Sequence, residues 1–425
     1  MLKLASRILL PFHQRPYMYY KVWSRTENPR SHCLQRTVAN NCLCKVPSIK
    51  NGSFMSHNTF AAKVFFHTSN PKNALPPVLV ILLRPLTKFL AIAFGRSIRM
   101  WWKRLPVVQR ETYVRTLKQR KLLYLALLTP VPAGAVYFYI AHIEETPITK
   151  RKRFIAFSNE QVLQLAEIEQ KVITDEHERS ILPAAHPAYC RVLRVVSRLL
   201  DSNKDVEGIN EHLWRIIVVD DKDIANAFVL PNGTIFIYTG MLEMCTNDNQ
   251  LSIVLAHEMS HTILGHTAER MSHAQLVECL LFVPVVIIWA ILPDLGAMLT
   301  QWFSGVLTKM LLHLPFSRQA EMEADDVGLT LAAKACFDIR EAPCFWKKMK
   351  AMTSDGLDDL EWLSTHPSYD TRQIVLNELI PSALQLRETC QCPKLSSQDP
   401  RHSIDTVIQM ITQNRRIKKH EPLKA

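Results

Sequence analysis

The sequence predicts an α+β fold, mostly α, with a small sheet set among helices and a transmembrane helix ahead of the folded domain. Three observations predict it. Several segments repeat apolar residues every three to four positions, most clearly Leu251–Leu264. Two β-branched and aromatic runs, Trp214–Asp220 and Thr234–Tyr238, read as strands, with Pro231-Asn232-Gly233 as the turn between them. Leu122–Ala141 is twenty residues without a charge, about the length that spans a bilayer.

At 425 residues and 48% apolar content, the chain can hold one sizeable domain with appendages. Its net charge of +12 is unevenly spread. Residues 1–110 carry eighteen Lys and Arg against the single acid Glu27, or +17, which leaves −5 for the rest. No nucleic-acid module accompanies the basic part, so a nucleic-acid partner is not expected.

Residues 1–75 are rich in Arg, Ser, Asn and His and nearly free of acid, the composition of a mitochondrial transit peptide. Residues 76–120 form a basic segment expected on the matrix side. Within it, Arg84, Lys88, Arg96, Arg99 and Lys103 fall within roughly 120° on a helix, which suits an amphipathic helix on an anionic membrane surface. A spanning helix is expected over 121–142, kinked by Pro130 and Pro132. Arg115, Lys118, Arg120 and Lys121 precede it and Glu144 and Glu145 follow, so the positive-inside rule keeps the N-terminus in the matrix and sends the remainder across.

The folded domain is expected over 150–385. Ser158–Val172 and Pro187–Leu200 read as amphipathic helices, and the strand before Leu251 is placed to pair with an extended peptide. Residues 279–308 are apolar apart from Asp294. Pro284, Pro293 and Gly296 divide them into pieces short for a span, which predicts a membrane-embedded hairpin or flap, with a second span as the alternative. Residues 386–425 form a polar, finally basic tail. Of the ten cysteines, Cys390 and Cys392 lie in that tail, and a pairing with Cys336 or Cys344 is expected if the compartment is oxidising.

The chemistry concentrates in His257-Glu258-Met259-Ser260-His261. On a helix, residues four apart share a face, so His257 and His261 can hold one zinc while Glu258 serves as general base. The bland alternative is a helix with two surface histidines. Gly265 and His266 fall at the wrong spacing to supply a third ligand from the same stretch. A carboxylate from the second helical segment, Ser317–Asp325, would complete a His/His/Glu catalytic set and leave the fourth position to water. Asp325 is placed to accept from a ligand imidazole.

The pattern S-R-x-x-E-x-x-A-D after H-E-x-x-H resembles the gluzincin family of the HtpX proteases and CAAX-prenyl endopeptidases. Asn226–Pro231, Gly233, Thr239–Leu242 and Ser364–Pro367 with Arg372 are similar to further elements of that family. Glu145–Phe154 and Trp362–Pro367 resemble more narrowly the stress-activated metalloendopeptidases of the mitochondrial inner membrane. Asn232 departs from the family, in which a glycine is common, but asparagine tolerates a left-handed turn.

The resemblance implies a zincin-type metalloprotease domain with one zinc per chain on His257, His261 and Glu321. It makes His366 and Arg372 candidates for stabilising the oxyanion. It further implies membrane-anchored protein substrates, among them the dynamin-like fusion GTPase, with inner-membrane lipids such as cardiolipin and a homo-oligomer as further partners. Glu321 and Glu323 point roughly 200° apart on a helix, so one of them faces the metal. Glu321 shares its face with Asp325, in agreement with the family motif, and Glu323 is expected to behave as an ordinary exposed residue. The competing readings are a prenyl-protein-type membrane endopeptidase and a zinc-stabilised scaffold without catalysis. The intact Glu258 speaks against the scaffold, because a structural site needs no base.

Overall fold

The computed structural model describes residues 77–354, 366, 370–406 and 408–410. The expected leader over 1–75 lies outside them, as do 411–425 of the tail.

Among the described residues four helices come first: α1 (Pro77–Arg104), α2 (Val107–Gln119), α3 (Lys121–Leu128) and α4 (Pro130–Ala141). Thr129 keeps helical angles (φ −56°, ψ −35°), so α3 and α4 continue one another with a break at the proline. Together Lys121–Ala141 is long and apolar enough to cross a membrane. An antiparallel hairpin follows, β1 (Ile143–Glu145) against β2 (Lys152–Phe154). Next comes α5 (Asn159–Glu176), started by a capping box in which Ser158 and Gln161 bond each other's backbone N–H groups. α6 (Pro187–Ser202) begins on a proline and buries Val192, Val195, Val196 and Leu199, one face of the helix.

The second sheet holds β3 (Arg215–Val219), β4 (Ala227–Val229) and β5 (Thr234–Tyr238) in the order β3-β5-β4. β3 runs parallel to β5 and β4 antiparallel to it. Central β5 is buried at every residue, as expected for a strand covered on both faces. The expected strands at 214–220 and 234–238 are therefore present, and β4 adds the edge.

Helices complete the domain: α7 (Thr239–Met244), α8 (Asp248–Ile263), α9 (His266–Ile291), α10 (Asp294–Lys334), α11 (Glu341–Ser354) and α12 (Asp370–Thr389). One core joins α6, the sheet, α8, the C-terminal half of α10, α11 and α12 through Leu199, Ile235, Leu255, Val327, Phe345 and Leu376. The apolar region between α8 and the second half of α10 departs from its expected pieces. α9 runs through Pro284 and α10 through Gly296, with one break at Leu292 and Pro293. A proline costs a helix one hydrogen bond, and the packing of α1 along α9 offsets that loss. The two helices run in the same direction, with Lys88 3.5 Å from Glu278 and Arg96 3.2 Å from Asp294. Arg99 reaches Asp294 and the Leu292 carbonyl that ends α9. Gly95 makes the contact close: a Cβ there would lie 2.5 Å from the Val286 carbonyl oxygen.

Candidate metal centre

Asn247 caps α8 by accepting from the Gln250 N–H at 2.9 Å, which sets the register of everything after it. His257 and His261 then face α10 from adjacent turns. α8 and α10 touch backbone to backbone, because a Cβ on Gly328 would lie 3.0 Å from the Cα of His257. That approach brings the Glu321 carboxylate to the two imidazoles.

Three donor groups converge. His257 Nε2 lies 3.2 Å from His261 Nε2 and 3.3 Å from Glu321 Oε2, and His261 Nε2 lies 3.5 Å from Glu321 Oε1. A tetrahedral ion with bonds of 2.0–2.1 Å separates its ligand atoms by roughly 3.3 Å, so the set fits a small divalent metal. His366 joins it: ligand atoms from His257, His261, Glu321 and His366 all lie within 4.8 Å of one another. Its Nδ1 is 3.0 Å from Glu321 Oε1, and its Nε2 is 3.4 Å from Glu258 Oε1. Glu258 is buried beside this group.

Behind His257 stands a charged support. Nδ1 of His257 lies 3.0 Å from Asp325 Oδ1. Arg372 donates from Nε and Nη2 to Asp325, each at 2.7 Å, and from Nη1 to Glu321 at 2.8 Å. Its guanidinium lies 3.4 Å over the Trp346 ring and is 1% exposed. Arg372, expected at an oxyanion, thus has its donors committed to two carboxylates on α10. Burial would raise the Asp325 carboxyl, but Arg372 and His257 hold it below its ordinary value. Burial would likewise lower His257, yet the facing Asp325 and Glu321 raise it to about 9. For His261 burial outweighs the charge of Glu321, the neighbouring imidazoles add to it, and the ring is taken well below the ordinary imidazole value.

Glu323 corrects an expectation. It does point away from Glu321, but that side of α10 faces protein. Glu323 is 9% exposed, accepts from Arg151 Nε at 2.8 Å and lies 3.2 Å from His266 Nε2. His266, Glu269, Glu323 and Arg151 are the site residues that the sequence reading missed. Gly265, in a left-handed turn (φ 66°), breaks the helix after His261 and folds His266 back onto it. A glycine followed by histidine at the end of the motif helix is the one local signal that could have exposed this. The partners from the hairpin have no local signal at all.

Among the described cysteines there is one pairing. Cys336 is joined to Cys392, with Cα atoms 5.3 Å apart, which ties the tail to the end of α10. Cys344 and Cys390 are outside the bridge, and burial pushes the Cys344 thiol up to about 12.

Comparison with known proteins adds to this geometry. Residues 190–380 match peptidase family M48. Over 340 residues the chain is 43% identical to the mitochondrial metalloendopeptidase OMA1 of Bos taurus, covering 79% of this chain and 65% of that one. It is 41% identical to the Homo sapiens protein of the same name over 360 residues, 84% of this chain and 68% of the relative. For the Danio rerio protein the figures are 40% over 356 residues, 83% and 74%. The chain spans about two thirds of the length of the mammalian relatives.

Proposed function

The chain belongs to peptidase family M48, among the mitochondrial metalloendopeptidases named OMA1, and from that membership we propose that it hydrolyses peptide bonds of membrane-anchored proteins at the mitochondrial inner membrane. The observation that carries this is the convergence of His257 Nε2, His261 Nε2 and the Glu321 carboxylate, with Glu258 beside them.

These three residues would hold one metal, which we read as zinc from its preference for two imidazoles and a carboxylate. Bound there, zinc supplies a Lewis acid that polarises a scissile carbonyl and acidifies a water molecule. Glu258 takes the proton from the attacking water and returns it to the leaving amine. His366 has a ligand atom within 4.8 Å of those of the other three residues and its Nε2 3.4 Å from Glu258. We assign it to the carbonyl oxygen of the substrate. Arg372 acts one step back, fixing Asp325 and through it the ring of His257. β5, the strand before α8 that was expected to pair with a peptide, has both edges taken by β3 and β4, so the β4 edge, tied to α8 by Thr262 Oγ1 and the Val229 carbonyl at 3.3 Å, is the one we assign to an extended substrate.

The apolar run Lys121–Ala141 serves as an anchor, with Arg115, Lys118, Arg120 and Lys121 on the matrix side next to anionic lipids such as cardiolipin. The protease domain then faces the intermembrane space. Epitope accessibility tests that orientation: protease added to mitochondria stripped of their outer membrane should digest a tag at Ala425 and spare one near Val107. The reverse pattern would place the domain in the matrix.

The dynamin-like fusion GTPase of that membrane, cleaved under stress, is the substrate we propose. In cells carrying Glu258→Gln in place of the wild-type chain, its cleavage should fall by several orders of magnitude while zinc and fold persist. Undiminished cleavage would refute the mechanism.

A further inference from the structure

We propose that the β1–β2 hairpin, which directly follows the apolar run Lys121–Ala141, is a positioning element of the metal centre, acting on His261 through Arg151, Glu323 and His266. The two ligand histidines are backed differently. His257 meets Asp325 directly, and Arg372 holds Asp325. His261 Nδ1 instead lies 2.8 Å from His266 Nδ1, and His266 Nε2 lies 3.2 Å from Glu323 Oε2. Arg151 donates to the same Glu323 oxygen at 2.8 Å and grips Glu269 with both Nη atoms, at 2.8 and 2.6 Å. Each ligand imidazole therefore ends on an arginine–carboxylate pair, one from α12 and one from the hairpin.

The proton positions follow from the metal. His261 presents Nε2 to the donor set, so that nitrogen must keep its lone pair and Nδ1 must carry the hydrogen. Nδ1–H donates to Nδ1 of His266, which leaves the His266 proton on Nε2, pointing at Glu323. A carboxylate at the end of such a chain fixes ring orientation and raises ligand basicity. No bond is made or broken; the order of donors and acceptors is all that is specified.

The hairpin is built to hold this end still. Its tip is cross-tied by Thr146 Oγ1 to Thr149 Oγ1 at 2.5 Å and by the Arg151 N–H to Thr146 Oγ1 at 2.9 Å. Thr149 donates to Glu323, and Arg153 donates to the Leu264 carbonyl that ends α8. The segment leading out of the apolar run thus contacts both the end of the motif helix and the support of its second histidine. A displacement of the hairpin would be felt at His261 and not at His257.

The inference rests on the metal-site reading above, so its test must separate the two. Full-length protein is purified, and zinc affinity is measured by competition with a chelator, alongside thermal unfolding of the metal-free form. His266→Phe, which removes the acceptor and donor, should weaken zinc binding by about 10–100-fold, the usual cost of losing such a partner. His266→Gln, which can accept from His261 and donate to Glu323, should restore most of it. Arg151→Met should weaken binding in the same direction, and the double variant Arg151→Met with His266→Phe should lose less than the two singles combined, since both act along one chain. If His266→Phe fails to fold, Arg151→Met decides alone. Unchanged zinc affinity in Arg151→Met or His266→Phe, or additive losses in the double variant, would overturn the relay. Wild-type protein that binds no zinc would overturn the metal reading itself.

Discussion

Helices α9 and α10 each divide into two halves that invert the usual relation between polarity and burial. Near the metal centre they bury polar and charged groups: His266, Glu269 and Ser272 on α9, and Glu321, Glu323 and Asp325 on α10, are all under a tenth exposed. At their far ends they expose apolar side chains: Leu280, Val283 and Ile291 on α9, and Leu295, Leu299 and Trp302 on α10. A protein in water arranges these the other way round. The four buried carboxylates are tolerable because each has an opposite partner, Arg372 or Arg151. The exposed apolar ends are tolerable if hydrocarbon covers them, and α9 is long and apolar enough to cross a membrane.

Breaking the polar halves should cost most. Arg372→Met leaves Asp325 and Glu321 buried without their cation, and the domain should lose about 3–5 kcal/mol in denaturant unfolding, the penalty for stripping one partner from a buried pair. Next comes the disulfide that ties the tail to α10. Cys336→Ser should lose about 2–4 kcal/mol, read from the same unfolding curves under non-reducing conditions. The apolar halves should behave in the opposite manner. Trp302→Ser should change unfolding of the domain by less than about 0.5 kcal/mol and leave zinc affinity intact, yet release the protein more readily from membranes in alkaline extraction. A loss of zinc in that variant would mean that the two halves are one cooperative unit.

The smallest effect is in the tail. Asp399 is lowered to about 2, first by its hydrogen bonds from Arg401, although burial opposes this. A depressed carboxyl contributes stability above its unfolded value near 4, and that contribution is lost as pH falls through 2. The tail should therefore become more accessible to an acid-active protease such as pepsin between about pH 4 and 2, a shift that Asp399→Asn should abolish.

How far the sequence could be read follows from the range of each contact. His257 and His261, and likewise Glu321 and Asp325, lie four residues apart, so helical spacing puts each pair on one face, and the family motif singles out Glu321. Cys336 and Cys392 were narrowed to four candidates by composition and compartment, and the fold chose between them. Glu323 was misjudged because periodicity reports which side a residue faces but not what stands there. Its partner Arg151 is 172 positions away, in a hairpin whose own strands are three residues each. Pro284 was read as a break since the packing of α1 along α9 is equally invisible locally.

The central claim is that one zinc is held by His257, His261 and Glu321 while Glu258 stands by unligated. Metal analysis of the purified full-length protein tests it directly. Glu258→Gln should carry one zinc per chain and Glu321→Ala essentially none. Glu321→Ala that retains a full equivalent of zinc would contradict the account.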